Sequence, residues 1–150
     1  GMRAVVQRVS EADVTVDEVI TGSIKKGFMV MIGVEEEDDE NDAAYMAGKI
    51  SGLRIFEDSD EKMNLSIKDV GGQILAVSQF TLFGDVRKGK RPSFIKAARP
   101  EEANRLYRYF VDLIKKENIH VEEGVFQAEM LVRIQNDGPV TILLDSRKTF

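Results

Sequence analysis

The chain has no cysteine, no tryptophan, a single histidine and three prolines in 150 residues. Without cysteine there can be no disulfide framework, no thiolate zinc site and no thiol nucleophile. One histidine excludes a histidine metal cluster and the HExxH helix. That residue, His120, follows a predicted helix end, where an imidazole ordinarily complements the helix dipole. A serine, histidine and acid triad would require it to reach Ser78 or Thr81. No GxGxxG or GxxxxGK segment follows a predicted strand, and EDSDEKMNLSI lacks the EF-hand spacing. No metal and no cofactor are therefore expected. No apolar run approaches the roughly 18 residues that cross a bilayer, and GMRAVVQRVS has no signal-peptide core. The expectation is a cytoplasmic protein without a membrane partner.

What is present is an ordinary globular composition, 43% apolar and 31% charged, at a length that suits one domain over residues 1–150. The net charge of −5 argues against indiscriminate binding to nucleic acid. Charge is unevenly placed, however. Glu35 to Asp42 holds seven carboxylates in eight residues, whereas Val86 to Pro100 holds six basic residues and no acidic one. The acidic run reads as a solvated loop and helix start, with an acidic metal site as the minor alternative. The basic run reads either as an exposed loop or as a contact for a polyanion.

Strands are predicted at Arg3 to Val9, Val14 to Ile20 and Phe28 to Val34, with a turn near Gly22. A helix is predicted from about Asp39, on the spacing of Ala43, Ala47 and Ile50. Gly71-Gly72 releases the chain into a strand from Gln73 to Leu82. Pro100 opens the clearest helix, with Glu101 and Glu102 in its first turn and an apolar stripe of Ala103, Leu106, Phe110, Leu113 and Ile114. Two last strands, Ala128 to Gln135 and Val140 to Asp145, flank NDGP, a strong turn signal.

The segment SQFTL, Ser78 to Leu82, ends an apolar strand in hydrogen-bonding side chains. Those groups either satisfy neighbouring backbone or line a site. With no thiolate and no obvious imidazole base or metal site, the chemistry left is that of oriented dipoles: backbone N–H groups and hydroxyls aimed at charge developing on a carbonyl oxygen, which suits an already activated ester. The basic stretch lies a few residues beyond, so a phosphate-bearing substrate could be held nearby.

QRVSEADVTV, KMNLSI, VSQFTLFGD, KGKRPSF and NDGPVTILLDS, in this order and spacing, resemble the D-aminoacyl-tRNA deacylases along nearly the whole chain. The resemblance implies an α/β fold, a compact three-layer β/β/α sandwich that forms a homodimer. It implies hydrolysis of the ester between a D-amino acid and tRNA, and of glycine mischarged on tRNA for alanine, with aminoacyl-tRNA as partner. Ser78, Gln79, Phe80 and Thr81 match the family's active-site segment. Gly138 and Pro139 match a Gly-cis-Pro motif that enters the partner subunit's pocket to select chirality, and Arg8 matches a residue that holds this motif. The competing reading from the basic loop alone is a tRNA- or RNA-binding module without chemistry.

Overall fold

A computed structural model describes all residues from Gly1 to Phe150. A long strand, β1 (Arg3–Val16), pairs antiparallel with β2 (Val19–Ile24) and then, in the same register, with β3 (Gly27–Gly33). The turn between β1 and β2 is formed by Asp17 and Glu18, at φ 49° and 66°, not near Gly22 as the sequence predicts. Two positive φ values suit the twist of a two-residue hairpin, and a short acidic residue tolerates the first of them. Gly22 lies inside β2, where a Cβ would stand 2.6 Å from the Glu123 carbonyl oxygen. Its glycine therefore answers to a close backbone approach.

β6 (Gln73–Ser78) runs parallel to β3, and β7 (Val121–Glu123) runs parallel to β6. Helix α1 (Glu40–Gly52) and a small hairpin, β4 (Phe56–Glu57) with β5 (Met63–Leu65), precede β6. Helix α2 (Pro100–Lys115) joins β6 to β7. Both helices begin as the sequence predicts, with Asp39 closing a capping box on α1 and Pro100 in the first turn of α2.

The final strand departs from its prediction. β8 (Leu131–Asp145) is one strand along the free edge of β1, and NDGP is a bulge within it, not a hairpin turn. Between the pairs Gln7–Thr141 and Val9–Asn136, β1 advances by two residues and β8 by five. The surplus is extruded at Asp137 to Val140. Both halves of β8 remain on β1 because each carries an apolar face that β1 alone can complete.

Alternation along the strands feeds two cores. Phe28, Val30, Ile32, Ile74 and Ala76 face the helices, packing on Met46, Ile50, Leu106 and Phe110. Met29, Leu75 and Val77 face the other way, against Val9, Ala12, Val14 and Ile24. The inward set of β1 shifts phase at Val9, where its register with β8 also shifts, so Met2, Ala4 and Val6 serve one core and Ala12 and Val14 the other. The far half of the β1–β2 ribbon thus folds across the sheet, and the layers run β/β/α as the resemblance implies. No helix is long and apolar enough to cross a membrane.

The acidic run is less solvated than the sequence predicts. Asp38 and Asp42 are buried where α1 begins, against the end of β8. Asp42 accepts from the Ser146 hydroxyl and the Arg147 guanidinium, which outweigh its desolvation and hold its carboxyl at about 2. Asp38 accepts the Glu35 N–H at 2.7 Å, but its other oxygen has no partner, and burial raises it to about 6. A raised carboxyl favours the protonated folded state. Through this group, stability is greatest below its unfolded pKa near 4 and falls as pH rises to about 6. Urea titrations from pH 4 to 7 should show that slope, and Asp38→Asn should flatten it.

Candidate active site

β6 ends at Ser78, which pairs with Ile32. The Gln79 N–H donates to the Ile32 carbonyl at 2.8 Å, and the chain then turns into a 3-10 helix, Phe80–Phe83. The sequence predicts strand as far as Leu82. The turn wins because β3 offers its last acceptor to Gln79 and then leaves the sheet. Leu82 N–H bonds the Gln79 carbonyl at 3.3 Å and Gly84 N–H bonds that of Thr81 at 3.0 Å. The leading N–H groups of Phe80 and Thr81 have no acceptor further back in this turn. The Gln79 amide donates to the Thr81 hydroxyl.

A cavity of about 530 Å³ opens beside this turn. Ser78, Gln79 and Phe80 form its polar rim, while Val34, Phe94, Phe126 and Met130 make most of it apolar. Phe80 is exposed and meets Phe94 edge-on at 5.2 Å between centroids. Phe94 belongs to the basic stretch, which is pinned to the body by Asp85 with Ser93 and by Ala98 N–H to the Val34 carbonyl at 2.9 Å. The opposite wall, from Gly124 to Met130, hangs from Glu123. Arg108 grips that carboxylate at 2.6 and 2.9 Å, and the buried Tyr107 hydroxyl reaches it at 2.9 Å. Burial alone would raise Glu123, but these two partners hold it below the usual range, while burial and Glu123 push Tyr107 up. Sequence reasoning did not single out Phe126, Met130 or this Tyr107, Arg108 and Glu123 set. Gly124 is their only local mark in the sequence.

Arg8 and the Gly138-Pro139 bulge lie elsewhere. Arg8 pairs with Phe28 and Ser78 with Ile32, so they are four residues apart along β3, about 13 Å, and on opposite sides of it. Arg8 is only 4% exposed. Its Nε donates to the Asp137 carbonyl at 3.1 Å, and its Nη1 to the Ile55 carbonyl at 2.7 Å and to Glu57 at 2.9 Å. The Gly138-Pro139 peptide is cis and exposed. Gly138 has φ 118°, and a Cβ there would meet Val140 at 2.8 Å and the Arg8 guanidinium at 3.0 Å. Only glycine fits between them.

His120 does not join either group. Its ring contacts Glu122 at 2.6 Å on the surface, and its carbonyl accepts from Ile74, about 13 Å back along β6 from Ser78. The triad is thereby removed.

Over residues 5–145 the chain matches the family model described as D-Tyr-tRNA(Tyr) deacylase. The chain belongs to the D-aminoacyl-tRNA deacylase family. It is 64% identical over 149 residues to the D-aminoacyl-tRNA deacylase of Koribacter versatilis, covering 99% of this chain and 100% of that one. It is 58% identical to the enzyme of the same name from Thermotoga petrophila, with the same coverage. Among solved structures, one titled c-Myc DNA Unwinding Element Binding Protein superposes with TM-score 0.90 at 41% identity, over 95% of this chain and 97% of that one. A probable eukaryotic D-amino acid tRNA deacylase shares the fold, with TM-score 0.79 at 19% identity, over 96% of this chain and 98% of that one.

Within this family member, Arg8 ties the bulge to the small hairpin and does not reach the cavity. Arg8→Leu leaves two carbonyls without their donor. The variant should lose about 1–3 kcal/mol in urea unfolding, because Glu57 stays solvated while the carbonyls do not. Amide exchange should quicken first at Val140 and Thr141.

Proposed function

We propose that the protein hydrolyses the ester between a D-amino acid and the terminal ribose of tRNA, and that its site is completed by a second copy of the chain. The observation that carries the reading is the apolar cavity lined by Ser78, Gln79 and Phe80, at the start of a turn whose leading backbone donors, those of Phe80 and Thr81, are unpaired. An ester carbonyl seated there would place its oxygen against these donors, each worth roughly 3–4 kcal/mol as negative charge develops. Water, or the neighbouring ribose hydroxyl acting for it, attacks the carbonyl carbon, and the tetrahedral intermediate then expels the other ribose oxygen. Free amino acid and tRNA are the products.

Thr81 acts here as a hydrogen-bonding group and not as a nucleophile. Its hydroxyl is engaged by the Gln79 amide, which cannot accept a proton through nitrogen, and His120 is remote.

Chirality is read by backbone. The exposed Gly138-Pro139 bulge, on a strand whose outer edge is free, would enter the partner's cavity and crowd an L side chain against rigid carbonyls. Isologous pairing of two copies places one bulge at each cavity. Glycine has no side chain to exclude, so glycine mischarged on tRNA for alanine is a further substrate in this reading. A place in the cytoplasm, where charged tRNA is used, accords with it.

D-tyrosyl-tRNA and its L counterpart test the reading together. Release of D-tyrosine with the L ester intact is expected, and release of neither would leave only an RNA-binding module. Thr81→Val should keep the rate within about tenfold, the scale of one hydrogen bond. Loss of more than about 10⁴-fold would instead mark a nucleophile.

A further inference from the structure

A second, smaller cavity of about 270 Å³ adjoins the first across the 3-10 turn. Phe80 lines one and Phe83 the other, and in the pinned stretch Ala97 lines the first while Lys96 lines the second. Its walls carry Arg3, Arg87 and Lys96 against one carboxylate, Asp85. The carboxylate is already spoken for. Arg87 holds it in a fork at 2.9 and 2.7 Å, so that pair is internally neutral.

Of the remaining cations, Lys96 is unpaired and Arg3 has only a loose ion pair with Asp145. Lys96 takes part in no ion pair of this chain, whereas Arg87 beside it is paired with Asp85. Arg3 lies over the Phe83 ring at 4.7 Å and gives one N–H to the Leu82 carbonyl at 3.0 Å. Its Nε is buried without a hydrogen-bond partner. The nearest carboxylate oxygen, on Asp145, stands at 3.9 Å, too far to accept, and Asp145 is served by the Arg147 N–H and the Thr149 hydroxyl. Arg3 enters from β1, far in sequence from the basic stretch, so the site is assembled by the fold.

We propose that this cavity binds a backbone phosphate of the substrate's RNA strand, with Lys96 and Arg3 as its cations. The inference rests on the reading that an RNA-borne ester occupies the first cavity. A strand whose terminal ribose sits beside Phe80 must carry its next phosphates past the same turn, and the second cavity is the polar, cationic space on the turn's other side. Arginine offers a planar fork and lysine a point charge, the usual pair of phosphate ligands. Phosphate contacts of this kind position the strand and carry no base information.

Binding of uncharged tRNA, measured at several salt concentrations, reads the site without any turnover. Lys96→Gln should weaken binding about fivefold and lower the slope of log K against log salt by about 0.7–1, one phosphate contact. Arg3→Gln should act in the same direction. Lys68→Gln, at the other end of β6, removes an equal charge and should leave the slope in place. Equal effects at Lys68 and Lys96 would overturn the site in favour of diffuse attraction. Inorganic phosphate that displaces tRNA at matched ionic strength and low millimolar concentration would also overturn it, assigning the cavity to a free anion. With esters, the rise in KM caused by Lys96→Gln should be at least about fivefold greater for D-aminoacyl-tRNA than for D-aminoacyl-adenosine, which has no phosphate. Should the wild type cleave neither ester, the hydrolase reading fails, while the salt slopes still decide the phosphate site.

Discussion

A buried guanidinium organises the surface to which the proposed selectivity is assigned. Arg8 comes from the middle of β1, yet it ties down the carbonyl that precedes the Gly138-Pro139 bulge and the strand of the small hairpin that carries Glu57. A charge at this depth needs several partners to offset its desolvation, and the partners available are backbone carbonyls whose positions are set by the sheet. Holding them fixes the bulge. A lysine could supply the charge but not the fork that reaches three acceptors at once.

The same principle runs through the cavity at the other end of β3. Its floor is a sheet end, its rim is a turn whose donors are backbone N–H groups, and its far wall hangs from Glu123 between Tyr107 and Arg108. Few mobile side chains take part. An ester is reactive enough to need placement and charge stabilisation more than a strong nucleophile, and rigid dipoles give both. The offset of about 13 Å along β3 between Ser78 and Arg8, which lie on opposite sides of that strand, is why the proposal calls on a second copy.

The two helices and the inner strands were legible in the sequence because their apolar spacing and end residues agree with the tertiary fold. Asp39, Pro100 and the run Ile74 to Val77 are cases. The elements that misled were those where tertiary contact overrides a local cue. NDGP has the chemistry of a turn but is pressed into a bulge because both flanks of β8 add to β1. SQFTL has strand composition but turns once β3 stops offering acceptors. Gly22 resembles a turn glycine and is a packing glycine. SQFTL stands out in the sequence as a polar strand end, whereas the proposed roles of Arg8, Gly138 and Pro139 come from family resemblance, since they depend on positions far apart in the chain. The absence of thiol chemistry was legible from composition alone, whereas the exclusion of His120 needed its place at the far end of β6. The walls around Phe126 and the pairing of Arg3 with Lys96 left no periodic trace.

The central claim is that each working site takes its donors from one copy and its chiral wall from the other. Phe80→Pro removes one donor while respecting the turn, and Gly138→Ala forces a side chain against Val140 and Arg8. Each variant alone should have little D-aminoacyl-tRNA deacylase activity. Co-expressed with different affinity tags and mixed as subunits, they should recover about a quarter of wild-type activity, because half of the dimers are mixed and each of these has one intact site. Activity no greater than that of the two parents would contradict the account.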